Sequence, residues 1–327
     1  MKIDTTRIFN IKSDTDFESL ALEIFKFQFK NNRIYNSFCN HLSINEAKVN
    51  NVQDIPFLPI SFFKSKQVLA TTDKVDTVFT SSGTTGALTS QHFVTDISIY
   101  KKSYLKAFDL FYGNLEDYCI LALLPSYLER EGSSLIYMAQ DFIKKSKHSK
   151  SGFYLNDTNK LIETLTELER KQNKTLLIGV SFALLDLAES HSFNLKNTVV
   201  METGGMKGRR KELIRSELHE ILGSSFGISK VHSEYGMTEL LSQAYSAGDC
   251  IFTCPPWMKI MIRDTEDPLS LQSHDKTGGV NVIDLANINS CSFIATQDLG
   301  KTYEDGSFEI LGRFDNSDVR GCNLMVL

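Results

Sequence analysis

Apolar residues along this chain follow two alternating rhythms. In "DTDFESLALEIFKFQFKNN", Phe17, Leu20, Ala21 and Ile24 recur at the spacing of an amphipathic helix, behind a candidate N-cap at Asp14. Farther on, "YCILALLP" (118–125), "TLLIGV" (175–180) and "NTVVMETGG" (197–205) are short and almost wholly apolar, with polar residues beside them. Such runs fit strands covered on both faces. Helical spacing returns over 161–168 and 213–222. The alternation predicts an α/β fold, with a substantially parallel sheet and helices on both faces.

The rhythm changes near residue 250. "HDKTGGVNVIDL", "SCSFIATQDLG" and "EDGSFEILGRFD" place β-rich runs between Gly-Gly and Asp-Gly turn signals. They predict a smaller, mostly antiparallel β subdomain over 251–327, after an α/β region over 1–250 that opens with a helical cap.

Composition narrows the function classes. The chain has 327 residues, 42% hydrophobic and 23% charged, enough for one large or two medium soluble domains. A formal net charge of -5 argues against a nucleic-acid surface, and "KKSKHSK" (144–150) reads as a solvated loop. No run approaches the ~20 apolar residues of a membrane span. "MKIDTTRIFNIKSDTDF" lacks the apolar core of a signal peptide. The scattered cysteines then read as free thiols in a reducing compartment, so a cytoplasmic location is the expectation.

Candidate chemistry collects in a few segments. In "TSSGTTGALTSQ" (80–91), Ser81, Ser82, Gly83, Thr84, Thr85 and Gly86 follow a strand expected over 75–79. Amides and small hydroxyls there can converge on one phosphate, although "GxxxxGK" is missing and such residues also build ordinary turns. In "SEYGMTELLSQAY" (233–245), Tyr235 can lie against a planar base and Gly236 lets backbone approach a ligand. Thr238 can donate to a phosphate oxygen, and Glu239 offers a hard oxygen to Mg²⁺. The competing structure is a strand-to-helix turn capped by Thr238. In "METGGMKGRR" (201–210), Gly204 and Gly205 end a buried strand, where open α/β sheets bind ligands, and Lys207 follows. Asp298 in "ATQDLG" suits two vicinal hydroxyls, and "GRFDNSDVRG" (312–321) sets Arg313 near Asp315.

Other features carry less. Ser181, Phe182 and Ala183 in "GVSFALLDLAE" either line an apolar-chain groove or begin a core helix. Cys250 and Cys254 are four apart without a second ligand pair, which gives little support to structural zinc. His92 and His232 sit beside these segments; each either packs locally or faces solvent, or, for His92, contacts substrate or phosphate.

In this order and spacing, the motifs resemble those of the adenylate-forming superfamily, which includes the acyl-CoA synthetases and phenylacetate-CoA ligases. "PSYLEREGSSLIYM" (125–138), "CPPWMKI" (254–260) and "DVRGCNL" (318–324) narrow the resemblance to the LuxE-type acyl-protein synthetases, over nearly the whole chain. The resemblance implies ATP-dependent activation of a fatty or other carboxylic acid to acyl-AMP, using Mg²⁺. Transfer to a protein thiol follows, then hand-over to an acyl-reductase or acyl-carrier partner. Nucleotide and acyl chain would bind in the 1–250 region. The 81–86 loop would hold phosphates, Gly204 and Gly205 would border adenine, Tyr235 would stack on it, and Gly236 would belong to the nucleotide-binding residues. Thr238 would contact phosphate, Glu239 the metal, and Asp298 the ribose, with Arg313 nearby. Cys322 matches the acyl-accepting position, and Arg320 beside it would favour the thiolate.

Two departures accompany the match. The basic residue usual after "TTG" is missing. Only residues 322–327 follow Gly321, so the superfamily's mobile C-terminal lid and its lysine are expected to be absent. Lys207 and Arg313 are the candidates to supply that charge. Two other readings stay open: a free-standing acid-adenylating ligase that loads a carrier protein or CoA, and a non-catalytic acyl-binding subunit.

Overall fold

A computed structural model describes residues 3–81, 89–124, 132–154, 157–204 and 213–314. The first long helix spans Asp14–Asn31 and buries Phe17, Leu20, Ala21, Ile24 and Phe25. Its cap is Ser13, whose side chain accepts from Asp16 N, one residue before the expected Asp14. Asp14 instead joins Asp16 in the first turn, where acidic side chains favour the positive end of the helix dipole.

The central sheet has six strands in the order Gly152–Phe153, Cys119–Leu123, Thr175–Val180, Thr198–Thr203, His232–Tyr235 and Ala244–Ser246. Neighbours run parallel except the last pair. Every residue of Cys119–Leu123 and Thr175–Val180 is buried, as their continuous apolar sequence requires. Helices Ser134–Ser146 and Ser181–Ser190 pack against these strands. Helix Thr158–Arg170 is tied to the sheet by Glu169, which accepts from Lys196 N, Asn197 N and the Thr198 hydroxyl. Helix Arg215–Phe226 starts two residues later than its apolar spacing predicts and packs on Ser181–Ser190.

A second sheet joins Leu58–Pro59, Phe293–Thr302, Gly278–Asp284 and Met258–Arg263, with Phe308–Arg313 also paired to Phe293–Thr302. It is antiparallel apart from Leu58–Pro59, a strand contributed from early in the chain. Arg263 is buried beneath it, donating to Val280 O and Asn281 Oδ1 at 2.8 Å and to Thr296 O at 2.6 Å. That guanidinium needs Gly279, because a Cβ there would sit 2.5 Å from Arg263 Cζ. The protein is thus a mixed α/β fold with parallel and antiparallel sheets flanked by helices.

A small hairpin, Thr77–Thr80 with Gln91–Val94, brackets the hydroxyl-rich loop. The expected solvated run after residue 144 ends helix Ser134–Ser146, and its Lys147 and Lys150 pair with Glu116 and Glu167. No helix among the described residues is long and apolar enough to cross a membrane.

Gln28 joins the first helix to the second sheet. Its Nε2 donates to Asn287 O at 3.1 Å and Ile288 O at 2.8 Å, and its Oε1 accepts from Ser292 N at 2.9 Å. The residue is fully buried, so Gln28→Leu strands a buried N–H and carbonyls. We expect a loss of about 2–3 kcal/mol by urea denaturation; an unchanged midpoint would show that the clamp contributes nothing.

Candidate active site

The segment after His232–Tyr235 does not become a helix. Leu240 N closes a short turn on Met237 O at 3.1 Å, and the chain enters strand Ala244–Ser246. Thr238 and Glu239 therefore lie in a connection between two strands, with little local hydrogen bonding to fix it. Distant side chains supply the rest. His92 Nδ1 donates to Thr238 O at 2.8 Å, and Asn287 Nδ2 donates to Glu239 O at 2.7 Å. Asp284 accepts from Leu241 N at 2.7 Å and from the Ser242 hydroxyl at 2.5 Å. Ser242 also meets the Ser103 hydroxyl at 3.1 Å, which accepts from Trp257 Nε1 at 3.0 Å.

His92 is fully buried, edge-on to Phe63, with Nε2 2.9 Å from the Asn287 side-chain amide. Burial pulls its imidazole down to about 4, opposed by its contacts with the Thr238 carbonyl and the Asn287 side-chain oxygen. Of the roles open to His92, local packing is the one observed. Burial likewise pushes Asp284 up to about 6, opposed by the donors from Ser242, Leu241 and Ala286. His232 meets the Tyr112 hydroxyl at 3.2 Å.

The Glu239 side chain is buried, and burial holds its carboxyl above the usual range; the Ser90 hydroxyl and the charges of Arg313 and Lys64 act the other way. Ser90 closes the base of the hydroxyl-rich loop: its N–H donates to Ser81 Oγ at 2.9 Å, and its carbonyl accepts from Ser81 N at 3.1 Å. The loop stem and the carboxylate thus share a residue. Ser82, Gly83, Thr84, Thr85, Gly86, Gly205, Lys207, Asp315 and Cys322 lie outside the described residues.

Strand register brings together another group. Asp298 pairs directly with Arg313, and Arg313 Nε lies 3.2 Å from Asp298 Oδ1. The Tyr235 hydroxyl reaches across from the central sheet and donates to Asp298 Oδ2 at 2.8 Å. Its ring is buried, 6.0 Å from Phe252 and 5.7 Å from Phe308 between centroids, both edge-on. Burial raises Asp298, with Arg313 and Tyr235 opposing. Gly204 follows strand Thr198–Thr203 at φ 68°, where its carbonyl accepts from Ser181 Oγ at 2.7 Å. Phe182 and Ala183 are buried in the first turn of their helix.

Gly236 has a reason beyond any ligand. A Cβ there would collide with Glu234 Oε1 and come within 3.2 Å of Gln243 Cγ. Glu234 is buried and accepts from the Thr203 hydroxyl at 2.5 Å, and burial pushes it up to about 7. Ser90, Asp284 and Asn287 were not singled out by pattern. Their signal is faint: polar side chains that end apolar runs, as in "GGVNVIDLAN".

A carboxyl raised on folding favours the native state most below its unfolded value of 4.5, and that contribution is lost as pH rises through about 7. Glu234→Gln should remove this loss. Between about pH 5 and about pH 8, wild-type thermal midpoints should fall relative to the variant's; parallel midpoints would show that Glu234 does not titrate as its burial demands.

The comparisons agree with this architecture. Residues 10–327 match the family model described as acyl-protein synthetase, LuxE. The long-chain-fatty-acid–luciferin-component ligase of Vibrio harveyi is 25% identical over 324 residues, covering 92% of this chain and 84% of that protein. An open 2-hydroxyisobutyryl-CoA ligase holding 2-HIB-AMP and CoA superposes with a TM-score of 0.69 at 10% identity, over 94% of this chain and 72% of that one. ATP-bound MatB from Rhodopseudomonas palustris superposes with a TM-score of 0.56 at 16% identity, over 74% of this chain. The match spans 49% of MatB, about half its length. These likenesses give the fold of an adenylate-forming enzyme's N-terminal-type domain, and the family model decides the kinship: the chain belongs to the LuxE family of acyl-protein synthetases.

Proposed function

We propose that this protein activates a fatty acid with ATP, as acyl-AMP, and moves the acyl group to its own Cys322 for delivery to a reductase or carrier protein. One observation carries the reading most. Glu239 is a buried carboxylate with no basic side chain in ion-pair distance among the described residues, and it adjoins the stem of the hydroxyl-rich loop. A buried carboxylate without a cation in direct contact is costly, and a hard divalent cation is a natural partner for it.

In the first step the acid's carboxylate oxygen attacks the α-phosphorus, and the bond to pyrophosphate breaks. Such a step is catalysed mainly by position and charge neutralisation. Loop amides and hydroxyls from Ser81 to Gly86, with the Thr238 hydroxyl, would cradle phosphates. Gly204, Gly205, Tyr235 and Gly236 would bound the base, with Tyr235 also fixing Asp298. Each Asp298 oxygen keeps a lone pair free for a ribose hydroxyl after binding Tyr235 and Arg313. Mg²⁺ held by Glu239 would neutralise phosphate charge. Arg313 acts electrostatically on both Asp298 and Glu239, which supports it, beside Lys207, as the replacement cation. Ser181, against Gly204, would mark the acyl entrance, with Phe182 and Ala183 behind it.

In the second step the Cys322 thiolate attacks the acyl carbon, the C–O bond to AMP breaks, and AMP leaves. The described cysteines are free thiols, which suits a reducing, cytoplasmic setting.

The test uses ATP, Mg²⁺ and labelled carboxylic acids. Wild type should release pyrophosphate and acquire a hydroxylamine-sensitive label. Cys322→Ser should keep acid-dependent pyrophosphate exchange and lose the label. Normal labelling of that variant removes Cys322 from the role. Exchange without any self-labelling in wild type points to a ligase that loads a separate carrier, and no turnover points to a non-catalytic subunit.

A further inference from the structure

Outside the nucleotide-facing group, three reactive side chains lie in series. Cys250 Sγ is 3.7 Å from His219 Nδ1, on helix Arg215–Phe226. His219 Nε2 lies 3.2 Å from the Ser233 hydroxyl and 3.8 Å from Glu202 Oε1. Glu202 is only 2% exposed, on strand Thr198–Thr203. It also binds Arg215 Nε at 3.0 Å and accepts from Ser181 Oγ at 3.3 Å. A thiol, an imidazole in reach of it, and a buried carboxylate behind the imidazole are the parts of an activated nucleophile.

The turn that presents the thiol has an uncommon backbone. Asp249 and Cys250 both adopt left-handed backbone, at φ 58° and 59°, and Lys230 Nζ fixes Asp249 Oδ2 at 3.0 Å. Cys250 is partly exposed, whereas Cys39, Cys119 and Cys291 are buried. Burial pushes Cys39 up to about 12 and Cys119 up to about 11, and raises Cys254 and Cys291 further. Those thiols stay protonated and inert.

We propose that Cys250, His219 and Glu202 form a second nucleophilic thiol site, distinct from Cys322, that takes soft carbon electrophiles, acyl thioesters above all. The thiolate attacks the thioester carbonyl carbon and forms a new C–S bond. The donor's C–S bond breaks, and its leaving thiolate takes the proton from His219 Nδ1. No oxidant or cofactor is required. This site does not depend on whether the protein forms acyl-AMP.

Electrostatics agree with the geometry. Burial pulls the His219 imidazole down, but Cys250 and Glu202 outweigh it and raise the ring to about 9. Two further charged groups lie nearby: Arg215 pairs with Glu202, and Lys230 with Asp249. His232, on the adjoining strand, is pulled down by burial and by the charges of Lys230 and His219.

The test uses the full chain and iodoacetamide, with alkylation located by peptide mass spectrometry. Cys250 should be alkylated about tenfold or more faster than the buried Cys39, Cys119 and Cys291. His219→Asn should slow Cys250 about tenfold. In Cys322→Ser, an N-acetylcysteamine acyl thioester should acylate Cys250. A wild-type protein in which Cys250 reacts no faster than Cys39, Cys119 and Cys291 overturns the proposal without relying on any variant. Equal rates in His219→Asn, or no acylation of Cys250 by the thioester, also overturn it.

Discussion

The buried carboxylate of Asp284 binds the two halves of this protein into one working surface. It ends the fully buried strand Gly278–Asp284 and receives Leu241 N and the Ser242 hydroxyl from the connection that carries Thr238 and Glu239. A carboxylate taken out of water must be met by donors, and here the donors come from the segment whose position matters most. His92 and Asn287 complete the arrangement by holding the carbonyls of Thr238 and Glu239. Asn287 is held in turn, because its own carbonyl accepts from Gln28. The first helix, the second sheet and the candidate catalytic turn are thereby linked through buried polar contacts, each with little freedom to be left unmade.

Such a scaffold suits chemistry that depends on position. Tyr235 leaves the central sheet and Asp298 the second sheet, and their 2.8 Å hydrogen bond spans the two. Arg313 sits opposite Asp298 by strand register. Glu239 shares Ser90 with the stem of the hydroxyl-rich loop. Tyr235, Asp298 and Glu239 are therefore held in place before any substrate arrives, which lowers the reorganisation needed at the transition state.

Much of the frame was legible along the chain, because strands covered on both faces leave a local mark. "TLLIGV" is the strand Thr175–Val180 to the residue, and the antiparallel character after residue 250 follows from its turn signals. Local marks also misled. Ser13 caps the first helix because its hydroxyl reaches Asp16 N, although Asp14 stands nearer the apolar stripe. Thr238 resembles a helix cap, but tertiary bonds from residues far along the chain hold it in a turn. Asp284 and Asn287 were invisible as site residues for the same reason: their partners lie 43 and 48 positions away. Spacing sets Cys250 beside Cys254, while its partner His219 lies 31 positions back on another element.

The most direct measurement is acid-dependent ATP–pyrophosphate exchange by Asn287→Leu, on protein whose near-ultraviolet circular dichroism matches wild type. The leucine removes the donor to Glu239 O and the neighbour of the His92 ring while adding no charge. If the buried contacts set the position of Thr238 and Glu239, exchange should fall about a hundredfold at saturating ATP. Exchange at the wild-type rate in that folded variant would contradict the account.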